Sequence, residues 1–135
     1  MREYKFRGKR LDNGEWVYGS LYGAQYQETG KVGIMTAEQA GDVAIIDEVF
    51  SQTVGQYAEI KDDDKNDIYE GDIVELCGHL FEVVYDYSCF MLNKVSLHKN
   101  KNSLHWINTL YWRSKAYSLN VVGNIHDNPE LLEGD

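Results

Sequence analysis

The chain has 135 residues, enough for one ordinary domain or two small lobes sharing a core. Its composition, 43% hydrophobic and 26% charged, is that of a globular rather than a disordered protein. The net charge of −9 argues against a general polyanion binder, because non-specific affinity for nucleic acid comes from basic side chains that neutralise phosphates.

In chain order the elements read as strands. Three tryptophans, ten tyrosines and many Val and Ile residues favour extended backbone. Tyr4 and Phe6 alternate with Glu3, Lys5 and Arg7, which predicts a strand with two distinct faces. Asp12-Asn13-Gly14 predicts a hairpin turn, with Gly14 at positive φ. The return strand puts Trp16, Tyr18 and Tyr22 on one face. A short strand follows over Val32–Met35, after a turn at Thr29-Gly30-Lys31. Ala37–Gly41 reads as one helical turn or a loop. Val43–Phe50 has mixed periodicity and its type stays open, whereas Thr53–Tyr57 reads as a strand.

Lys61 to Asp67 is a polar, acidic loop, and a new strand begins at Ile73 after a Gly71-Asp72 turn. Cys77-Gly78-His79 is a tight turn into a strand with Phe81, Val83 and Tyr85 on one face. Phe90–Leu92 is a further strand, Asn93–Ser103 a basic connection, and Leu104–Trp112 either strand or helix. In Tyr117–Ile125, strict alternation sets Tyr117, Leu119, Val121 and Ile125 against Ser118, Asn120 and Asn124. Asn128-Pro129 then predicts the start of a short helical turn, with Asn128 as its cap.

The reading is therefore mainly β: a small β-lobe, an SH3-like barrel of five short strands closing on themselves, and a short C-terminal helical turn. The 61–67 loop divides two lobes, 1–60 and 61–135, of a single unit spanning 1–135. No apolar run follows the basic start, and the run Val43–Ile46 is far too short to cross a bilayer, so a soluble, intracellular protein without membrane association is expected. Cys77 and Cys89 read as reduced thiols rather than a disulfide framework.

Three blocks carry a resemblance. The run TVGQYAEIKDDDKNDIYEGDIVEL (53–76) is similar to the signature of the YopX-like family of phage and prophage proteins. VVGNIHDNPELLE (121–133) is similar to that family's closing motif, and MREYKFRGKRLDNGEWVYG (1–19) resembles its basic start. The blocks follow the family's order and span most of the chain. The sequence departs from the pattern at Ala58-Glu59 and lacks the glycine usual after the Asp-Lys-Asn turn, where Asn66 is expected to take the left-handed conformation instead. The resemblance implies a mostly β protein with an SH3-like barrel in its later part. It carries no enzymatic activity, cofactor or catalytic residue over to this chain.

The residues themselves offer few sites. Asp62, Asp64 and Asn66 have calcium-loop spacing, but the sixth and twelfth positions are Asp67 and Ile73 where an EF-hand needs Gly and Glu, so a solvated turn is expected. Gly23 and Gly30-Lys31 fail the Walker spacing. Cys77, His79, Cys89 and His98 lack the paired short spacings of a zinc site. Asp47 and Glu48 are strand neighbours and point to opposite faces. No catalytic set, cofactor site or metal site is assigned, and a non-enzyme is expected.

The richest candidate interaction surface is the basic and aromatic cluster Lys94, Lys99, Lys101, Trp106, Trp112, Arg113 and Lys115, within residues 93–117. Such residues serve protein interfaces or stack single-stranded nucleic acid. Charge is also segregated: residues 11–86 hold seventeen acids against three bases, while residues 87–126 hold five bases and no acid. The expectation is a phage accessory protein in the cytoplasm of the bacterial host, working through protein–protein contacts. Its basic 93–115 segment would meet the acidic 59–86 segment of another copy, giving a homo-oligomer. The alternative is an SH3-like nucleic-acid-binding module using the 93–117 cluster.

Overall fold

The computed structural model describes residues 5–23, 32–37, 44–76, 78–86, 88–95, 104–106 and 118–133. Its regular structure is eleven strands among the described residues, with short 3-10 turns at Ser51–Thr53 and Pro129–Glu133. The chain divides into two compact units, Met1–Tyr57 and Ala58–Asp135, and the division falls inside a strand.

In the first unit, β1 (Phe6–Lys9) and β2 (Trp16–Tyr22) form the hairpin that the Asp12-Asn13-Gly14 turn predicts. Gly14 has φ +71, and Asn13 Oδ1 accepts from the Glu15 N–H at 2.9 Å, an Asx turn that sets the chain reversal. β3 (Val32–Ala37) and β4 (Ala44–Val49) follow, which resolves the open type of 43–50 as strand. The antiparallel order is β4-β3-β2-β1-β5, where β5 is Gly55–Lys61. Ser51–Thr53 is a 3-10 turn, so β5 starts two residues later than predicted. The reason is local: Thr53 Oγ1 donates to the Phe50 carbonyl at 2.6 Å and accepts from the Lys9 N–H at 2.9 Å.

β2 changes partner midway. Trp16 to Gly19 pair with β1, and Ser20 to Tyr22 pair with β3. At the changeover a Cβ on Gly19 would lie 2.2 Å from the Met35 carbonyl oxygen, so only glycine fits. The ends of β1 and β4 also meet. Arg10 bridges to Val49, Phe50 N–H donates to the Lys9 carbonyl, and Leu11 N–H donates to that of Glu48. Ile34 and Val49 are buried on the inner face, with Gly8 against Val49.

The second unit is built on a five-stranded antiparallel sheet in the order β10-β9-β8-β7-β11. Its strands are β7 (Asp72–Leu76), β8 (His79–Asp86), β9 (Cys89–Lys94), β10 (Leu104–Trp106) and β11 (Leu119–Asn124). β6 (Asp67–Tyr69) lies beside the end of β5. The mainly β expectation holds. Among the described residues the five-stranded ladder ends at β10 and β11, with no strand pair closing it into a barrel.

A core cluster of this unit comprises Ala58, Ile68, Val74, Leu76, Phe81, Val83, Leu92 and Leu119, with Ile60, Phe90 and Val121 packed at its margin. Full burial of a side chain such as Leu92 or Val83 contributes about 1.5–3 kcal/mol. The predicted face of β8 is buried at Phe81 and Val83 but reaches solvent at Tyr85, where Phe90 packs edge-on at 5.0 Å. In β11 a bulge between Val121 and Gly123 breaks the predicted alternation. Val122 is turned out to solvent, and Asn124, expected on the polar face, is buried instead.

Candidate functional site

The acidic loop is not a solvated turn at its first residue. Asp62 is only 6% exposed. Its Oδ1 accepts from the Asn66 N–H at 2.8 Å and the Asp64 N–H at 3.0 Å. Its Oδ2 accepts from the Val121 N–H at 3.0 Å and Asn66 Nδ2 at 3.1 Å. Burial pushes its pKa up, but the hydrogen bonds from Val121, Asn66 and Asp64 outweigh it and hold the carboxyl below the usual carboxylate value. Asp63 extends the contact: its N–H donates to the Leu119 carbonyl at 2.9 Å, and its Oδ2 accepts from the Leu119 N–H at 3.2 Å. The loop thus docks on β11. Lys65, at φ +67, takes the left-handed conformation expected of Asn66, whose N–H and amide are both engaged by Asp62.

The neighbouring signature residues behave alike. Asp72 is buried and its Oδ2 accepts from the Tyr69 N–H at 2.8 Å, closing the turn through Gly71. Gly71, at φ +93, donates to the Val83 carbonyl and accepts from the Ile125 N–H. Asn124 Oδ1 accepts from the N–H groups of His126 and Asp127 at 3.0 and 2.8 Å, while its own N–H donates to Asn128 Oδ1 at 3.2 Å. Asn128 therefore caps backward, onto Asn124, and its carbonyl accepts from Leu131 to open the 3-10 turn. A Cβ on Gly123 would stand 2.6 Å from Asn128 Oδ1. Runs 53–76 and 121–133 are thus one hydrogen-bonded construction.

A family model described as YopX protein matches residues 5–133. The chain belongs to the YopX protein family. No match is found among curated proteins. The crystal structure of protein EF1440 from Enterococcus faecalis is similar, with a TM-score of 0.54 at 20% identity over 96% of this chain and 98% of that one. That likeness concerns the fold alone. In YopX terms, the signature acids Asp62 and Asp72 and the closing Asn124 hold main chain together.

Of the predicted interaction surface, Lys94 ends β9, half-buried, opposite Phe81. Trp106 ends β10, paired with Met91 of β9. Lys99, Lys101, Trp112, Arg113 and Lys115 lie outside the described residues, as do Cys77 and His98. His79 is exposed at the start of β8, and Cys89 is a free thiol whose Sγ donates to the Asp86 carbonyl at 3.4 Å. Among the described residues no three His, Cys, Asp or Glu side chains gather as a metal site would need. No helix among them is long and apolar enough to cross a membrane.

A second cluster, with Arg7 buried at its centre, was missed in sequence. Lys5, Arg7 and Lys9 recur at every second residue, and the rings beside them come from other strands. The Arg7 guanidinium lies 4.5 Å from the Trp16 ring centre, and Lys9 Nζ lies 5.4 Å from it. Lys5 Nζ lies 4.9 Å from the ring centre of Tyr57. Register continues this face through Tyr18, Tyr22, Met35 and Ile46. The alternation and the β1–β2 hairpin were legible, but the pairing of β1 with β5, which brings Tyr57 beside Lys5, was not.

Proposed function

We propose that this YopX protein is a non-enzymatic accessory protein of phages and prophages that works through protein–protein contacts, including self-association, in the cytoplasm of the bacterial host. One observation carries the reading: the buried polar side chains of the two motifs, Asp62, Asp72 and Asn124, are committed to main-chain N–H groups. Asp62 accepts four hydrogen bonds, and Asp72 and Asn124 are buried on backbone N–H groups. A general acid or base must instead face the substrate within hydrogen-bond reach. The YopX motif is on this reading a folding signature, and the exposed charge is what meets partners.

Self-association would join the basic 93–115 segment of one copy to the acidic 59–86 segment of another. Asp62 and Asp72 are buried, Asp67 pairs with Lys61 at 2.6 Å, and Glu70, Glu82 and Asp86 are half-buried, which leaves Glu59, Asp63, Asp64 and Glu75 as the exposed acids of that stretch. Light scattering across ionic strength is the test: oligomers at low salt that dissociate at high salt are expected, because exposed charge pairs are screened. A monomer at every ionic strength would sink the reading.

A second reading is a nucleic-acid-binding module of SH3-like type, using the 93–117 cluster. It is supported by the mix of bases and aromatic residues in that cluster. Fluorescence anisotropy with short single-stranded DNA at low salt decides it, and no binding there removes it.

A further inference from the structure

Among the described residues the five-stranded sheet ends at β11, and an end strand offers a row of N–H and C=O groups to any chain that comes beside it. In an antiparallel strand alternate residues turn these groups to opposite sides. On β11 the N–H groups of Leu119 and Val121 are turned away from β7, and the acidic loop takes both. Asp63 Oδ2 accepts from Leu119 at 3.2 Å, and Asp62 Oδ2 from Val121 at 3.0 Å. The Asp63 N–H in turn donates to the Leu119 carbonyl at 2.9 Å. Two consecutive residues thus stand in for a further strand, with carboxylates where a strand would bring carbonyls.

A carboxylate differs from a strand in what it offers next. It accepts and does not donate, so the ladder stops there instead of passing to another chain. Hydrogen bonds to a charged oxygen are also stronger than neutral ones. Asp62 is buried, so a strand that displaced it would strand its carboxylate without donors. Asp63 and Asp64 are exposed in the same loop and repel the loop of another copy. Beyond Val121 the bulge before Gly123 bends β11 and further spoils its edge for pairing.

We propose that the acidic loop is a guard: Asp62 and Asp63 close the edge of β11 against strand addition by a second copy. A second copy fits because the edge is complementary to itself. In an antiparallel pair centred on Asn120, Leu119 of each copy faces Val121 of the other, and the outward N–H groups that the loops now take would bond across the pair. The proposal goes beyond the charge-driven association above and is separable from it, since exposed charge pairs are screened by salt and a main-chain ladder is not.

Amide exchange followed by NMR, together with sedimentation velocity, tests it on the full chain. In the parent the Leu119 and Val121 amides should be protected, as is that of Asn120 on the β7 side. Fast exchange at Leu119 and Val121 would overturn the proposal without any variant. Asp63→Ala removes one acceptor at an exposed position; it should speed Leu119 exchange about tenfold and leave Asn120 unchanged. Equal acceleration at both would mean that Asp63 holds the whole strand rather than its edge, which overturns the proposal. Asp62→Ala with Asp63→Ala opens the edge fully and should produce dimers that persist at high salt. If that double variant does not fold, Asp63→Ala alone carries the association measurement at raised protein concentration. Asp63→Asn keeps an acceptor oxygen and should match the parent at high salt. A freed edge without new dimers, or with dimers that high salt dissolves, overturns the guard and leaves the charge-driven association to its own test.

Discussion

The two units handle apolar surface in opposite ways. Residues 58–135 place Ile68, Ile73, Val74, Val83 and Leu92 at or near zero exposure, and even their buried polar groups are hydrogen-bonded. Among the described residues, 1–57 bury Ile34, Val49 and Tyr57 but leave Tyr18, Tyr22, Ile45, Ile46 and Phe50 substantially exposed, against Tyr85 and Val122 in the second unit. Interior packing stabilises a fold, whereas ordered apolar surface in contact with water marks a place where something else docks. The contrast teaches that deep burial is concentrated in the second unit, and that the conspicuous motif is part of it.

The largest effect should come from opening the second core. Leu92→Ala should cost about 2–5 kcal/mol in urea denaturation, while Ile46→Ala in the first unit should stay within about 0.5 kcal/mol. Equal costs would erase the contrast. Next comes the buried carboxylate. Asp62→Asn presents an amide to donors that need an acceptor, and should cost about 3 kcal/mol at pH 7. The sign with pH follows from the lowered pKa of Asp62 in the folded state. The charged form's stabilisation is complete above the unfolded value, about 3.9, and is lost as pH falls through the lower folded value. The gap between parent and Asp62→Asn should therefore narrow in acid; a constant gap down to pH 2 would mean that the charge is irrelevant.

Smaller effects sharpen the comparison. Gly19→Ala forces a methyl toward the Met35 carbonyl and should cost about 1–3 kcal/mol, which thermal melting would read as a weakened first unit. Lys65→Gly relieves a left-handed backbone at an exposed position and should stabilise by about 0.5–1 kcal/mol. A loss on that substitution would mean that the lysine side chain itself holds the loop.

Much of the fold was legible because its signals are local. Alternation marked β1, β2 and β8, and Gly14, Gly71 and Gly78 marked turns that need positive φ. Where a local rule met a non-local constraint it failed. Alternation could not anticipate the bulge at Val122, which turns Asn124 inward, nor the backward cap of Asn128. The site was less legible still. Asp62 looked like one of a run of solvated acids, yet its decisive donor is the N–H of Val121, fifty-nine residues away.

By itself, then, the sequence determined the β character, most turns, the segregation of charge and the family, since each depends on residue type and near-neighbour spacing. Only the tertiary structure decided which acids are structural and which cations share a face with aromatics. Burial and strand partnership are properties of the folded chain, and a carboxylate's role is set by the donors that reach it, not by the acids beside it in sequence.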